Sequence, residues 1–275
     1  MISRFAPIAD THCGLNVGLM PSLVIANKGT SWQTDHKPMN NTQKYLLKKF
    51  KKAEKIVFKG AGEVITALMG DAVHGTRDAG GIWTNSLKVQ KDAYQSCVLP
   101  WVNKSSACYS VQGTKWHVGE DGIVEQQYAQ ELGVYKRATF SKMEIKVQGI
   151  KIMLQHKGPK PGSREWTKPN SMFHALRDKH FHALRRGKEP ADIYLWAHFH
   201  EYVHGIYEAD GPWGTKEIHG YVLPAWCSPN EYALQNVQAL EFANIGMIYF
   251  DIEGSEFKMH KFYDNVDVVE RVNHG

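Results

Sequence analysis

The stretch Glu63-Val-Ile-Thr-Ala-Leu-Met-Gly-Asp-Ala-Val-His74 is apolar or β-branched from Val64 to Met69 and then stops at Gly70-Asp71. A short, continuous apolar run bounded by glycine predicts a strand covered on both faces. A carboxylate placed where that strand ends does not belong to a core, because a buried charge needs a partner. The same punctuation recurs on either side. Phe5-Ala-Pro-Ile-Ala9 ends at Asp10-Thr-His12, and Ala107-Cys-Tyr-Ser-Val111 ends at Gly113-Thr-Lys-Trp-His117. A strand pair from Met143 to Gln155, turning at Gln148-Gly149, runs into His156, and Asp192 to Ala197 runs into His198-Phe-His200.

Between these runs the apolar spacing becomes helical. Thr42 to Lys55 sets Tyr45, Leu46, Phe50 and Ala53 on one side and Lys44, Lys48, Lys51, Lys52 and Lys55 on the other. The basic side reads as solvated, with a phosphate-backbone contact as the alternative. Further helices are expected over Asp92 to Val102, Ile123 to Leu132 and Asn170 to Arg186. The last is basic, capped by Asn170 or Ser171, with His174, His180 and His182 on its solvated face. A polar loop separates Gly14 from about Asn41. Strands close the chain at Tyr221 to Ala225, Ile245 to Ile252 and Phe257 to Tyr263, the last two joined through Glu253-Gly254-Ser255. Alternating strands and helices followed by strands predict an α/β fold, a layered β-sandwich flanked by helices. With no repeat or linker visible, residues 1–275 read as a single domain.

Composition narrows the function. The 275 residues are 43% hydrophobic and 22% charged, as in ordinary globular proteins. No apolar stretch approaches the roughly 20 residues that cross a bilayer, and the N-terminus turns polar too soon for a secretory signal, so the expected location is the cytoplasm. Cys13, Cys97, Cys108 and Cys227 are scattered without a CxxC pair, against a zinc ribbon or a disulfide framework. A net charge of +5 is too mild for a protein that coats nucleic acid but suits an anionic substrate. The 14 histidines are the unusual feature, and histidine is the commonest metal ligand.

In layered α/β proteins ligands gather beyond the carboxyl ends of the strands. Five strands ending in Asp or His can therefore converge on one place, where a carboxylate bridges two cations and imidazoles supply directional bonds to each. The ordered set resembles the calcineurin-like metallophosphoesterase superfamily, whose blocks read D-x-H, G-D-x-x-D/H, G-N-H-D/E, H and G-H-x-H. The resemblance runs from Ile8 to roughly Tyr202. It implies that fold, a β-sandwich flanked by helices, and two divalent ions, with manganese expected first and iron, zinc or magnesium as alternatives. It further implies that Asp10, His12 and His200 hold one ion and His156 and His198 the other, with Asp71 between them.

Two blocks depart from the pattern. Ala197 stands where the family usually has glycine, a small-for-small change. In the third block Gly113-Thr114-Lys115-Trp116-His117 lacks the asparagine that gives its amide oxygen to the second ion. Thr114 could offer a hydroxyl, or His117 could become a ligand. The reading adopted keeps His117 as the catalytic histidine, oriented by Glu120 or Asp121. His74, in Gly-Asp-x-x-His, resembles the Mre11/SbcD nuclease branch, where that histidine helps place a phosphodiester; a packed histidine is the alternative. The C-terminal segment also looks similar to compact phage members of the superfamily.

Lys157, Lys160 and Arg164, in a Gly/Pro loop directly after His156, suit capture of a phosphate-bearing substrate. Aromatic residues beside cations, as in Lys115-Trp116-His117 and Arg164-Glu-Trp166, could stack on unpaired bases. The expected activity is hydrolysis of phosphodiesters, in DNA or RNA, by metal-activated hydroxide. The alternatives are a phosphomonoesterase or small-molecule phosphodiesterase and, from another class, a non-catalytic metal-binding scaffold. The substrate is the only partner the sequence indicates; it points to no membrane and to no oligomeric state.

Overall fold

The computed structural model describes residues 2–22, 39–76, 81–118, 123–162, 164–229 and 242–267. In chain order its elements begin β1 (Ser3–Ile8), α1 (Asn41–Phe58), β2 (Glu63–Leu68), α2 (Leu87–Lys104), β3 (Ala107–Ser110), α3 (Lys115–Val118), α4 (Ile123–Leu132), β4 (Met143–Val147) and β5 (Ile150–Lys157). Next come α5 (Lys168–Arg185), β6 (Ile193–Ala197), β7 (Val203–Gly211), β8 (Gly214–Val222), β9 (Phe242–Glu253) and β10 (Glu256–Asp267).

The strands make two five-stranded mixed sheets, ordered β10-β9-β1-β2-β3 and β4-β5-β6-β8-β7. Within the first, β1, β2 and β3 run parallel. Within the second, β5, β6 and β8 do the same. Parallel strands need crossovers, and the helices supply them. α1 starts from a capping box: the Gln43 amide donates to the Asn40 side chain at 2.9 Å, and the Asn40 amide donates to Gln43 Oε1 at 3.2 Å. It lays Leu46, Phe50, Ala53 and Val57 on the first sheet and leaves its lysine face in water. Tyr45, expected on the apolar side, is instead exposed and donates to Asp264.

Three apolar layers follow. Between the sheets lie Phe5, Ile65, Ala67, Met69, Ile152, Leu154, Leu195, Tyr221 and Phe250. Outside the first sheet, α1, α2 and α4 pack around Phe50, Tyr94, Trp101, Tyr128 and Trp226. Outside the second, α5 sets Met172 and Leu176 on Tyr194, Trp196 and Ile218. The architecture is a helix–sheet–sheet–helix sandwich, the layered α/β class expected, and no described helix is long and apolar enough to cross a membrane.

The structure corrects the sequence reading in four further places. β7 and β8, nine residues each, form a hairpin where only Tyr221 to Ala225 was expected as a strand. Its sequence hides it: Gly205 faces Gly220 in mid-ladder, and Ile206 points to solvent, so period-two alternation is broken. Both glycines lie under Met172 of α5. α5 is capped at Thr167, with Pro169 in its first turn, rather than at Asn170 or Ser171. His180 is buried, not solvated, with Nε2 donating to the Asp210 carbonyl at 2.7 Å. α3, a single turn, was not foreseen.

Candidate metal centre

The six candidate ligands stand where strands end. Asp10 and His12 follow β1, Asp71 follows β2, His156 is the penultimate residue of β5, and His198 and His200 follow β6. Parallel pairing carries these ends to one side of each sheet. The first two loops even continue the β1–β2 ladder past the strands: the His12 amide donates to the Asp71 carbonyl (3.1 Å), Cys13 to Ala72 (3.0 Å), and His74 back to Cys13 (3.0 Å).

The chain turns sharply there. Among the described residues eight non-glycine residues have positive φ, and five of them are candidate ligands: Asp10 (51°), His12 (41°), Asp71 (50°), His198 (78°) and His200 (56°). The left-handed region costs an L-residue about 1–2 kcal/mol. Such strain persists only where surrounding contacts over-determine it, and it gathers at functional sites. Each turn aims a side chain away from the sandwich core and toward its neighbours. Gly70, at φ 91°, and Gly113 allow the second and third loops to touch. A Cβ at Gly113 would lie 2.3 Å from the Asp71 amide nitrogen, and one at Gly70 would lie 2.6 Å from Gly113 Cα.

Among the described residues three clusters of possible ligands result: Asp10, His12 and His200; Asp71, His156 and His198; and His12, His74 and His117. In the first, Asp10 Oδ2 accepts the His198 amide at 3.0 Å, whereas Oδ1 is buried with no hydrogen-bond partner. Facing that bare oxygen are Nε2 of His200 at 3.5 Å, His12 at 3.9 Å and His156 at 3.9 Å. His12 Nε2 and His200 Nε2 lie 3.1 Å apart. Burial, then His117 and His200, hold His12 well below the usual imidazole range, so it is neutral. One bare carboxylate oxygen ringed by three imidazole nitrogens is a donor set that fits a divalent cation.

Asp71 is the opposite case. Its Oδ1 accepts the Thr114 amide (2.7 Å), the Thr114 hydroxyl lies 3.1 and 3.2 Å from its two oxygens, and Oδ2 faces His156 Nε2 at 3.0 Å and His198 Nδ1 at 3.7 Å. Burial alone would raise this carboxyl, but His156 and the bonds from His156 and His198 hold it well below the carboxylate range. The Met69 carbonyl, which can only accept, lies 2.6 Å from His156 Nδ1 and so fixes the proton there. That leaves Nε2 for a ligand, the usual outer support of a metal-bound histidine. Without an ion, burial opposes its charge, but Asp71 and Asp10 carry His156 up to about 10.

His117 enters from α3. Its Nδ1 donates to the His74 carbonyl at 2.7 Å, so Nε2 is the working atom, 3.9 Å from Asp71 Oδ2. The ring packs 4.6 Å from that of His12 and 5.2 Å from that of His74, centroid to centroid, so the structure groups His117 with these two. Thr114 turns its hydroxyl onto Asp71, making it a support for the carboxylate. Lys157, Lys160 and Arg164 are exposed, Lys157 next to His156, and Arg164 lies over the Trp166 ring at 5.7 Å. Glu120 and Asp121, expected to orient His117, lie outside the described residues; the His74 carbonyl is an orienting group the sequence reading missed.

Glu125 was missed as well. It lies on the buried side of α4 with Tyr128, Ala129 and Leu132, and its two carboxylate oxygens accept the amides of Ala72 (3.2 Å) and Gly113 (2.6 Å). The signal was present: a glutamate at i with apolar residues at i+3, i+4 and i+7 sits inside the apolar stripe.

No protein-family model matches this chain, and no curated protein matches it in sequence. Solved structures are similar at low level. YfcE, a phosphoesterase from E. coli, is 14% identical with a TM-score of 0.43, each chain covered over 97%. Vps29 from Chaetomium thermophilum is 12% identical with a TM-score of 0.42, each chain covered over 99%. Vps29 complexed with zinc from Entamoeba histolytica is 11% identical with a TM-score of 0.41, over 96% of this chain and 98% of that one.

Proposed function

We propose that the chain is a metal-dependent phosphoesterase acting on phosphodiesters, with nucleic acid as the leading substrate class. The observation that carries this reading is the bare Asp10 Oδ1 facing His12, His156 and His200 beside the Asp71 cluster. Asp10, His12 and His200 would hold one divalent ion and His156 and His198 the other, with Asp71 between them and manganese the first candidate. Such a pair of ions polarises a phosphoryl oxygen and lowers the pKa of bound water to near neutral. The chain's own part is to orient and to move protons. His117, held through Nδ1 by the His74 carbonyl, presents Nε2 to a phosphoryl oxygen or to the departing alkoxide. His74 packs beside it and narrows the approach. Lys157, Lys160 and Arg164 would take up phosphates beyond the scissile one.

The test begins with chelated protein reloaded with Mn²⁺ and assayed on a bis-aryl phosphodiester, an aryl phosphomonoester and labelled single-stranded DNA. Metal-dependent cleavage of the diester supports the reading; absence of metal binding ends it. For the nucleic-acid class, binding of a fluorescent oligonucleotide between about 50 and 200 mM salt is decisive. Each phosphate contact contributes a slope of about −0.7 on single strands, so replacing Lys157, Lys160 and Arg164 with Ser should flatten the slope by about two units. A flat curve for the unmodified protein would exclude nucleic acid and leave a small phosphodiester or a phosphomonoester as substrate. A second reading, a metal-binding scaffold without turnover, has one observation in its favour: the Thr114 hydroxyl is committed to Asp71, where the family pattern has an asparagine donor. Tight metal binding with none of the three substrates cleaved would establish it.

A further inference from the structure

We infer that Glu125 is a positioning residue that sets the affinity of the centre for its metal ions. The inference rests on the metal-centre reading above and deepens it. Among the described residues Glu125 accepts its hydrogen bonds from backbone amides and not from a candidate ligand side chain. It grips the two loops that carry Asp71 and Thr114 by their backbones, through Ala72 N–H to Oε1 at 3.2 Å and Gly113 N–H to Oε2 at 2.6 Å. Those amides flank the point where the loops cross, at Gly70 and Gly113, so the carboxylate fixes the spacing between them.

The grip extends further. The carbonyl of the same Ala72 accepts the Thr11 hydroxyl at 2.7 Å and the Cys13 amide at 3.0 Å, and these two residues flank His12. Three loops of the centre thus hang on the backbone of one residue, Ala72, and the side chain beneath it. Asp10, His12 and Asp71 all lie in the left-handed region, a conformation the chain leaves unless it is held. Removing an acceptor leaves a buried N–H unsatisfied. Here the loss falls where it would release the loops. Burial, then the Asp71 charge, raise Glu125 to about 7, so the fold tolerates this carboxylate at a cost. A hydrophobe would suit the stripe better were packing its only duty.

The test is calorimetric titration of chelated protein with Mn²⁺, with melting followed in chelator as a control. Glu125→Gln preserves the volume and one acceptor oxygen. The expected result is an Mn²⁺ affinity lowered roughly 10–100-fold, the usual scale for residues that support ligands, with melting in chelator close to the parent. Glu125→Asp, which keeps both oxygens but shortens their reach, should recover part of that affinity, and it carries the test alone if the Gln variant does not fold. Unchanged affinity in whichever variant folds overturns the inference. Parent protein that binds no Mn²⁺ would instead overturn the metal-centre reading on which it stands.

Discussion

Asp10 and Asp71 occupy matching places, two residues past β1 and three past β2 of a buried parallel pair, each fully buried and at φ near 50°. Yet they are satisfied differently. Asp71 takes bonds from Thr114 and lies against His156, whereas Asp10 keeps one oxygen bare amid three imidazole nitrogens. A carboxylate that is complete without an ion belongs to the fold as much as to the site. One left incomplete has its reason in what binds. The difference separates preorganisation from demand within a single centre.

Substitution of each should break the comparison or sharpen it. Asp71→Asn should cost at least one bound ion per chain and nearly all turnover. Elemental analysis that still found two ions would defeat its bridging role. In chelator the same variant should lose about 1–3 kcal/mol of stability through its hydrogen bonds. Asp10→Asn should melt in chelator closer to the parent than Asp71→Asn does, because its Oδ1 has no hydrogen bond to lose, while metal binding falls. Equal melting losses in the two variants would erase the distinction between the two carboxylates.

His117 stands closer to the complete carboxylate than to the incomplete one. His117→Ala should keep its metal content and lose roughly 10²–10⁴ in rate, the usual contribution of a general acid or base. Lost metal, partly restored by excess Mn²⁺, would make it a ligand. Unchanged rate and content would give it neither role.

The histidines extend the contrast. His156 lies against both carboxylates and in the ion-free protein binds its proton up to about pH 10. Metal loading near pH 7.5 must therefore expel about one proton there. Titration in two buffers of different ionisation enthalpy reads this directly, and identical heats would refute it.

His204 has no carboxylate against it among the described residues. Burial, then His219 and Lys261, lower it from 6.5 to about 4, and it stacks flat on Tyr221 at 4.3 Å. Above pH 6.5 folded and unfolded chains both hold it neutral and it contributes nothing. As pH falls from there toward 4 the unfolded chain protonates first, so stability declines across that window. His204→Phe, followed by melting in chelator, should make the decline shallower; a decline as steep as the parent's would locate it in other groups.

What the sequence disclosed was its punctuation. Apolar runs stopped by Asp10, Asp71, His156 and His198 could be read because strand burial and chain direction are both written locally, and parallel pairing does the rest. The β7–β8 hairpin was not legible, since Gly205 and Gly220 earn their place only under Met172 of a helix some 30 residues or more away in the chain. Nor could the left-handed turns at Asp10, His12 and Asp71 be read, because non-glycine residues enter that region only when a finished structure compels them. Thr114 looked like a damaged ligand in the sequence and is a hydrogen-bond donor to one in the structure. Glu125 stood in plain sight, in the wrong kind of stripe.

The contact between Gly70 and Gly113 has a consequence for the history of such a chain. A ligand side chain can be exchanged and leave the backbone intact, so metal chemistry can decay by single steps. Neither glycine can acquire even a methyl group without driving apart the loops that cross there. A lineage drifting from hydrolysis toward another use would therefore shed its histidines while these two positions stayed fixed. In a randomised library, selection for folding alone should deplete substitutions at Gly70 and Gly113, two residues that carry no chemistry.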